Sequence, residues 1–200
     1  MARATRTFNQ AIRRANNLLD FAETIEDASL RNDNIRMATV LSVAGMDAYF
    51  TLKFRDIITD FLSSEEPGED LINLLKDAGL NTRMALELIW MERPLRRIGT
   101  LVERYFDRYT TQRFDAIDDL FKTIGLPNLC QSAEGIVGRT TLRTSISKLV
   151  EKRHEIVHDA DINSHVRPRG INLDVTRRRI RDIKLFVEAC DTILGNRMGQ

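Results

Sequence analysis

Hydrophobic residues recur at intervals of three and four positions along most of the chain, the spacing that places them on one face of an α-helix. The first stripe predicts a helix over about residues 5–28 and consists of Phe8, Ile12, Ala15, Leu18, Leu19, Ala22 and Ile25. A second stripe predicts a longer helix over about 34–61. An interior glycine costs a helix roughly 1 kcal/mol, so Gly45 in this segment indicates that a neighbouring helix approaches closely.

The remainder of the chain alternates further helical segments with turn signals. The sequence Ser63-Ser64-Glu65-Glu66-Pro67-Gly68 predicts an exposed loop. Shorter helices are expected at about 69–78, 82–92, 95–109 and 113–124, and a last long pair at about 141–163 and 173–194. No segment alternates like a strand. We therefore expect an all-α fold, a helical bundle in one domain over 1–200, with 62–138 as a helical insertion.

Charge is distributed unevenly along the 200 residues, although the formal net charge is only +1. From Arg139 to Arg181 there are eleven Lys or Arg and five Asp or Glu, a net charge of +6 that leaves −5 for the rest. A local positive field favours an anionic substrate, with nucleic acid among the candidates. Solvated charges along a helix would produce the same count.

The cysteines and the hydropathy of the chain indicate in which compartment the protein occurs. Cys130 and Cys190 have no Cys-x-x-Cys spacing, which predicts two reduced, buried thiols rather than a disulfide framework or a cysteine zinc site. No apolar signal-peptide core follows the basic N-terminus, and no run approaches the roughly 20 apolar residues of a membrane span. We expect a cytoplasmic protein with no membrane partner.

The segment Leu149–Asp161 carries the strongest chemical signal, because it places two of the three histidines beside an arginine on one predicted helix. His154 and His158 are four residues apart and share a face; histidine can give and take a proton near neutral pH. Arg153 is a permanent cation suited to phosphate, yet a helical wheel places it in the middle of an apolar stripe. It is therefore either in a structural ion pair or at an interface that holds an anion.

The angular offset between the arginine and the second histidine limits how they can act together. Arg153 and His158 are separated by about 140° on an ideal helix. Both could meet one phosphate only along the edge of a groove or across two subunits. The cluster as a whole favours acid–base chemistry on a phosphate ester.

The same letters also contain His154-Glu155-x-x-His158, a zinc-peptidase signature. In the extended form of that signature the third histidine would fall at Ser164, and His165 comes one residue too late. Lys152, Arg153 and Asp159 are charged where such helices usually carry uncharged residues. A zinc peptidase is therefore the weaker alternative.

The segment Arg153-His154-Glu155-Ile156-Val157-His158 resembles the signature of the HEPN superfamily, small all-α proteins with an Arg, four to six residues and a His, in which a polar residue follows the Arg. The gap here is four and the polar residue is His154. Together with Ser42–Phe50 in the second helix, the longer Leu149–Asp161 segment is most similar to the RiboL-PSP-HEPN branch. The resemblance is good at both ends of the chain and poor over 62–138, the helical insertion.

This resemblance implies a metal-independent endoribonuclease without cofactor, acting on RNA as a homodimer with a composite site. It implies that His158 removes a proton from a ribose 2′-hydroxyl, which attacks the neighbouring phosphorus to leave 2′,3′-cyclic phosphate and 5′-hydroxyl ends. His154, or the partner subunit's His158, would protonate the leaving oxygen, and Arg153 would stabilise the phosphate charge. Such proteins often belong to toxin–antitoxin or phage-defence systems, so an antitoxin or operon partner is possible.

Further residues are weaker candidates. Lys152, Arg167 and Arg169 are candidate contacts to the RNA backbone, with solvated surface charge an equal alternative. Asp47 and Tyr49 could support the site, or serve as an ordinary ion-pair acid and a packed core residue. Because some family members keep the fold without activity, a non-catalytic HEPN interaction or nucleotide-binding module is the main alternative function.

Overall fold

The computed structural model describes residues 3–106 and 110–198, and it confirms the all-α prediction. Within these residues there are nine helices: α1 (Arg3–Glu23), α2 (Ala28–Ser64), α3 (Glu69–Asp77), α4 (Thr82–Ile89), α5 (Pro94–Phe106), α6 (Phe114–Lys122), α7 (Leu129–Val137), α8 (Leu142–His158) and α9 (Leu173–Met198). The same residues contain no strand, only one isolated antiparallel bridge between Ile162 and Pro168. No helix among them is long and apolar enough to cross a membrane.

The first two helices form an α-hairpin whose contact is closest at Gly45. The predicted apolar face of α1 is buried, including Phe8, Ile12 and Leu19. A Cβ on Gly45 would lie 2.6 Å from the Cβ of Ala11, a separation that real Cβ atoms do not reach. The predicted close approach at this glycine is therefore confirmed.

Aromatic residues of α2 form the centre of the core. Tyr49, Phe50 and Phe54 are fully buried, and Phe50 packs edge-on to Phe121 of α6 and against Phe186 of α9. Edge-to-face contacts of this kind add to the burial of apolar area. Long helix α2 is thus the element on which α1, α5, α8 and α9 pack.

Several predicted helix boundaries are wrong. Helix α2 begins at Ala28 rather than 34, because the Asp27 carboxylate accepts the Leu30 N–H at 2.8 Å and caps the helix. Helix α8 ends at His158 rather than 163. The predicted segment 95–109 extends beyond the described part of α5, since 107–109 lie outside the described residues.

Helix α7 has no counterpart among the predicted helices. It is short and lies between glycine and proline signals, yet it buries Leu129, Cys130 and Ala133. Its first turn is stabilised from another helix, because Asp118 of α6 accepts the Cys130 N–H at 2.8 Å. Cys130 and Cys190 are both free and buried, as predicted, and burial raises the pKa of each thiol above its ordinary value.

The start of α8 is anchored on α9 by a buried carboxylate. Asp182 accepts the Ser145 hydroxyl at 2.5 Å and is paired with Arg139. Buried Leu142, Ile146 and Leu149 pack the first half of α8 onto the core. Beyond Leu149 the helix has no fully buried residue, so its second half is free to line a cleft.

Candidate active site

The second half of α8 forms one wall of a cleft of about 1020 Å³. Arg153, His154 and His158 all line it, together with Ser147, Val150, Glu151 and Glu155. The opposite wall is formed by the segment before α6 and by the first turn of α6, with Thr110, Gln112, Arg113, Phe114 and Asp115. Arg153 and His158 therefore share one concave surface within a single chain despite their angular offset, which corresponds to the groove-edge arrangement.

Arg153 has no salt bridge or hydrogen bond to any of the described residues, and its Nε atom is buried without a partner. The sequence left two roles open for this arginine. For the first, a structural ion pair, Arg153 has no acidic partner among the described residues. A buried, unsatisfied guanidinium nitrogen is costly. The Arg153 side chain lines the cleft, where a guanidinium can bind an anion.

His154 and His158 are exposed and lie against each other one helical turn apart. Their ring centroids are 4.4 Å apart and their planes are inclined by 38°. No hydrogen bond to either ring is formed by the described residues, so both imidazoles are available to a ligand. Two imidazoles in this cleft can move protons beside a phosphate that the guanidinium binds.

The opposite wall is held in place by Asp47 of α2. Its Oδ1 atom accepts the Thr111 N–H at 2.6 Å and the Thr111 hydroxyl at 2.7 Å, and its Oδ2 atom accepts the Gln112 amide at 3.0 Å. Among the described residues, Asp47 thus makes loop contacts and no ion pair. Sequence reasoning did not find Gln112 and Arg113, because nothing in a short irregular segment indicates that it faces a distant helix.

Tyr49 lies away from the cleft. Its hydroxyl donates to Asp191 at 2.8 Å, and Lys53 donates to the same oxygen at 2.7 Å. Burial, followed by the neighbouring Asp191 carboxylate, raises the pKa of Tyr49 above its ordinary value. This tyrosine is therefore a core residue, the second of the two roles considered from the sequence.

The cleft is less positive than the charge count predicted for this part of the chain. Its charged lining consists of Arg113, Arg153, Asp115, Glu151 and Glu155. Arg113 donates to Asp115 at 2.6 and 3.1 Å, and this hydrogen bonding holds the pKa of Asp115 below its usual value. The positive excess of 139–181 is spread over other surfaces, and Arg153 is the unpaired cation of the described cleft lining.

Two of the three candidate RNA-backbone contacts are in intramolecular ion pairs. Lys152 binds Glu155 at 3.2 Å and buried Asp161 at 2.5 Å, and Arg169 binds Glu155 at 2.9 Å. The Lys152 ammonium is thus directed to Asp161 and does not line the cleft. Arg167 is exposed and, among the described residues, lines neither wall of the cleft.

The end of α8 differs from its prediction in a way that affects the site. Asp161 falls inside the predicted helix 141–163, but the helix ends at His158 and Asp161 turns into the interior. This turn carries no recognisable sequence signal, since no glycine or proline occurs between Leu149 and Val166.

The described residues contain no group of three or more His, Cys, Asp or Glu side chains that could hold a metal ion. His154 and His158 therefore have no third ligand in that part of the chain. Glu155, which would be the base of a zinc peptidase, is paired with Lys152 and Arg169 instead. The donor set does not fit a catalytic zinc centre.

The helical fold, together with an Arg-x4-His motif facing a cleft, defines a HEPN-type domain. The model of the RiboL-PSP-HEPN family matches residues 6–196, a range that includes 62–138. The chain therefore belongs to the RiboL-PSP-HEPN family. HEPN domains are generally associated with ribonucleases. Neither a curated protein nor a solved structure gives a significant match.

Proposed function

We propose that this protein is a metal-independent endoribonuclease whose site is the cleft lined by Arg153, His154 and His158. The observation that carries the proposal is the state of Arg153. This guanidinium has no salt bridge or hydrogen bond to the described residues, and it lies in the same cleft as two imidazoles that form no hydrogen bond with those residues. A phosphodiester in this cleft would supply an acceptor for this guanidinium. Charge-assisted hydrogen bonds to phosphate are among the stronger interactions available to arginine.

The proposed reaction is an internal transesterification. His158 takes the proton of the ribose 2′-hydroxyl, the 2′-oxygen forms a bond to the adjacent phosphorus, and the bond from phosphorus to the 5′-oxygen breaks. A protonated imidazole, His154 or the partner subunit's His158, gives a proton to that leaving oxygen. Arg153 stabilises the charge that builds on the phosphoryl oxygens. The products are a 2′,3′-cyclic phosphate and a 5′-hydroxyl.

We also propose that the protein acts as a homodimer in which the α8 ends face each other. Apolar side chains near this end are exposed, Val157 by 48% and Val166 by 80%. Exposed apolar residues beside a polar site are typical of an association surface. A twofold interface there would enclose the cleft and bring a second set of histidines to it.

The direct test is incubation of purified protein with mixed cellular RNA, with and without EDTA. We expect cleavage in both samples, with cyclic phosphate and 5′-hydroxyl ends, and loss of cleavage in a folded His158→Ala variant. A substrate with 2′-deoxyribose at the cut site must remain intact, because the attacking oxygen is absent. Binding without cleavage would instead identify a non-catalytic interaction or nucleotide-binding module, and EDTA-sensitive cleavage would contradict the metal-independent route.

For the biological role we propose a toxin or phage-defence effector, with RNA as target and an antitoxin or operon partner as inhibitor. The support is the family membership together with the proposed nuclease site. Induced expression should arrest growth, whereas His158→Ala expressed at the same level should not. Equal growth arrest by both proteins would contradict this role.

A further inference from the structure

The chain reverses sharply directly after His158, in a conformation that non-glycine residues rarely adopt. Ala160 and Asp161 both have positive φ, 52° and 53°, and the N–H groups of Asp159 and Asp161 both donate to the Glu155 carbonyl at 3.0 Å. Two consecutive left-handed non-glycine residues persist only where the surroundings fix them. Something other than local preference must therefore hold the last turn of α8.

The Asp161 carboxylate provides that restraint. It is completely buried and accepts Arg36 Nε at 2.7 Å through Oδ2 and Lys152 Nζ at 2.5 Å through Oδ1. Arg36 belongs to α2 and is itself buried, whereas Lys152 lies on α8. One carboxylate thus joins the core helix α2 to the helix that carries the histidines.

The returning segment is held at the same point. Arg36 Nη2 donates to the Arg169 carbonyl at 2.7 Å, and the Arg169 N–H donates to the Asp161 carbonyl at 2.7 Å. The Arg169 side chain in turn binds Glu155, the residue three positions before His158. The network therefore joins α2, the returning segment and the last turns of α8.

We infer that Asp161, together with Arg36, is a positioning residue for His158. Asp161 fixes the last turn of α8 relative to α2, and so holds the His158 ring against His154 and in the cleft with Arg153. This inference rests on the proposed nuclease function for its catalytic consequence, but the placement of the ring can be measured without activity.

The chain offers a matched control at the other end of α2. Asp191 likewise accepts two donors from α2, Tyr49 at 2.8 Å and Lys53 at 2.7 Å. Lys53 is seventeen residues from Arg36, or roughly 25 Å along the helix. Asp191→Asn therefore removes another carboxylate that joins α2 to the C-terminal half of the chain, at a different point of α2.

The experiment compares Asp161→Asn with Asp191→Asn by proton NMR and by RNA cleavage. The chain has three histidines, so the ring signals can be assigned with single His→Ala variants. In wild type and Asp191→Asn we expect a nuclear Overhauser effect between the His154 and His158 rings, and in Asp161→Asn we expect it to be lost. The cleavage kcat of Asp161→Asn should fall about 10- to 100-fold with little change in KM, as a small misplacement of a catalytic group does.

The outcomes separate the inference from the proposed function. An unchanged ring contact in folded Asp161→Asn would overturn the inference, whether or not the wild type cuts RNA. Absence of cleavage by the wild type would overturn the proposed function and leave the NMR result to decide the placement. If Asp161→Asn does not fold, Arg36→Lys decides instead: it keeps a charge beside Asp161 but loses the bond to the Arg169 carbonyl, so a weakened ring contact supports the inference and an unaltered one overturns it.

Discussion

The imidazole rings of His154 and His158 lie against each other one helical turn apart, with centroids separated by 4.4 Å. This spacing places two groups of the same kind beside any phosphate bound in the cleft. One ring can act as base and the other as acid within a single chain.

The stacked arrangement predicts a division of labour between the histidines that a modified substrate can reveal. His158→Ala should lower cleavage by about 10²- to 10⁴-fold, and His154→Ala should also impair it. RNA with sulfur in place of the 5′-bridging oxygen has a leaving group that needs no proton. On this substrate we expect His154→Ala to approach the wild-type rate, while His158→Ala remains slow.

The control for both variants is His165→Ala, since His165 is exposed in the loop after α8 and should not affect either substrate. Equal impairment of His154→Ala on both substrates would show that His154 is not the acid. In that event the partner subunit's His158 would be the remaining candidate.

Replacement of Arg153 should lower the cleavage activity without lowering the stability of the fold. Because Arg153 makes no ion pair with the described residues and leaves a buried Nε unsatisfied, replacement by methionine removes a desolvation cost and keeps most of the packing. We expect Arg153→Met to melt at or above the wild-type temperature while cleavage falls by about 10²- to 10³-fold.

Arg139→Met serves as the comparison for that experiment. Arg139 is paired with buried Asp182, so its removal should lower the melting temperature without a comparable loss of cleavage per folded molecule. A destabilised but active Arg153→Met protein would assign Arg153 a structural role and contradict the proposed site.

The contact at Gly45 predicts opposite effects for two Gly→Ala substitutions. In Gly45→Ala the new Cβ would meet the Cβ of Ala11 at 2.6 Å, and overpacking of this kind costs about 1–3 kcal/mol. Gly195 lies in α9, where an added Cβ would meet nothing within 4 Å, so Gly195→Ala should gain up to about 1 kcal/mol from helix propensity. Urea denaturation of the two variants measures both changes in the free energy of unfolding. A stabilised Gly45→Ala would refute the close contact.

Gly45 also illustrates what the sequence could predict. A glycine inside a strong apolar stripe has few explanations, and close helix approach is the one that the structure confirms. The Arg153–His158 cluster was likewise visible, because its chemistry depends on residue type and on spacing within one helix. Features of this kind are local in sequence.

The parts that sequence reasoning missed depend on contacts between distant residues. Helix α7 is capped by Asp118 of another helix, and α8 ends early because Asp161 turns inward to meet Arg36, 125 positions away in sequence. The ion pair of Lys152 with Asp161 was missed for the same reason, because Asp161 lies beyond the end of α8 and is held by Arg36. No periodicity or local propensity indicates such pairings.

The Asp47 carboxylate holds the wall of the cleft opposite α8. Asp47→Asn replaces one acceptor oxygen by a donor, so either the Thr111 N–H or the Gln112 amide loses its partner. We expect a loss of about 1–3 kcal/mol in unfolding free energy and a raised KM for RNA, with kcat nearly unchanged because the histidines remain in place. Asp56→Asn, on the same helix but paired with the adjacent Arg55, should leave KM unchanged. A fall in kcat at constant KM would show instead that Asp47 acts on the α8 residues and not through the opposite wall.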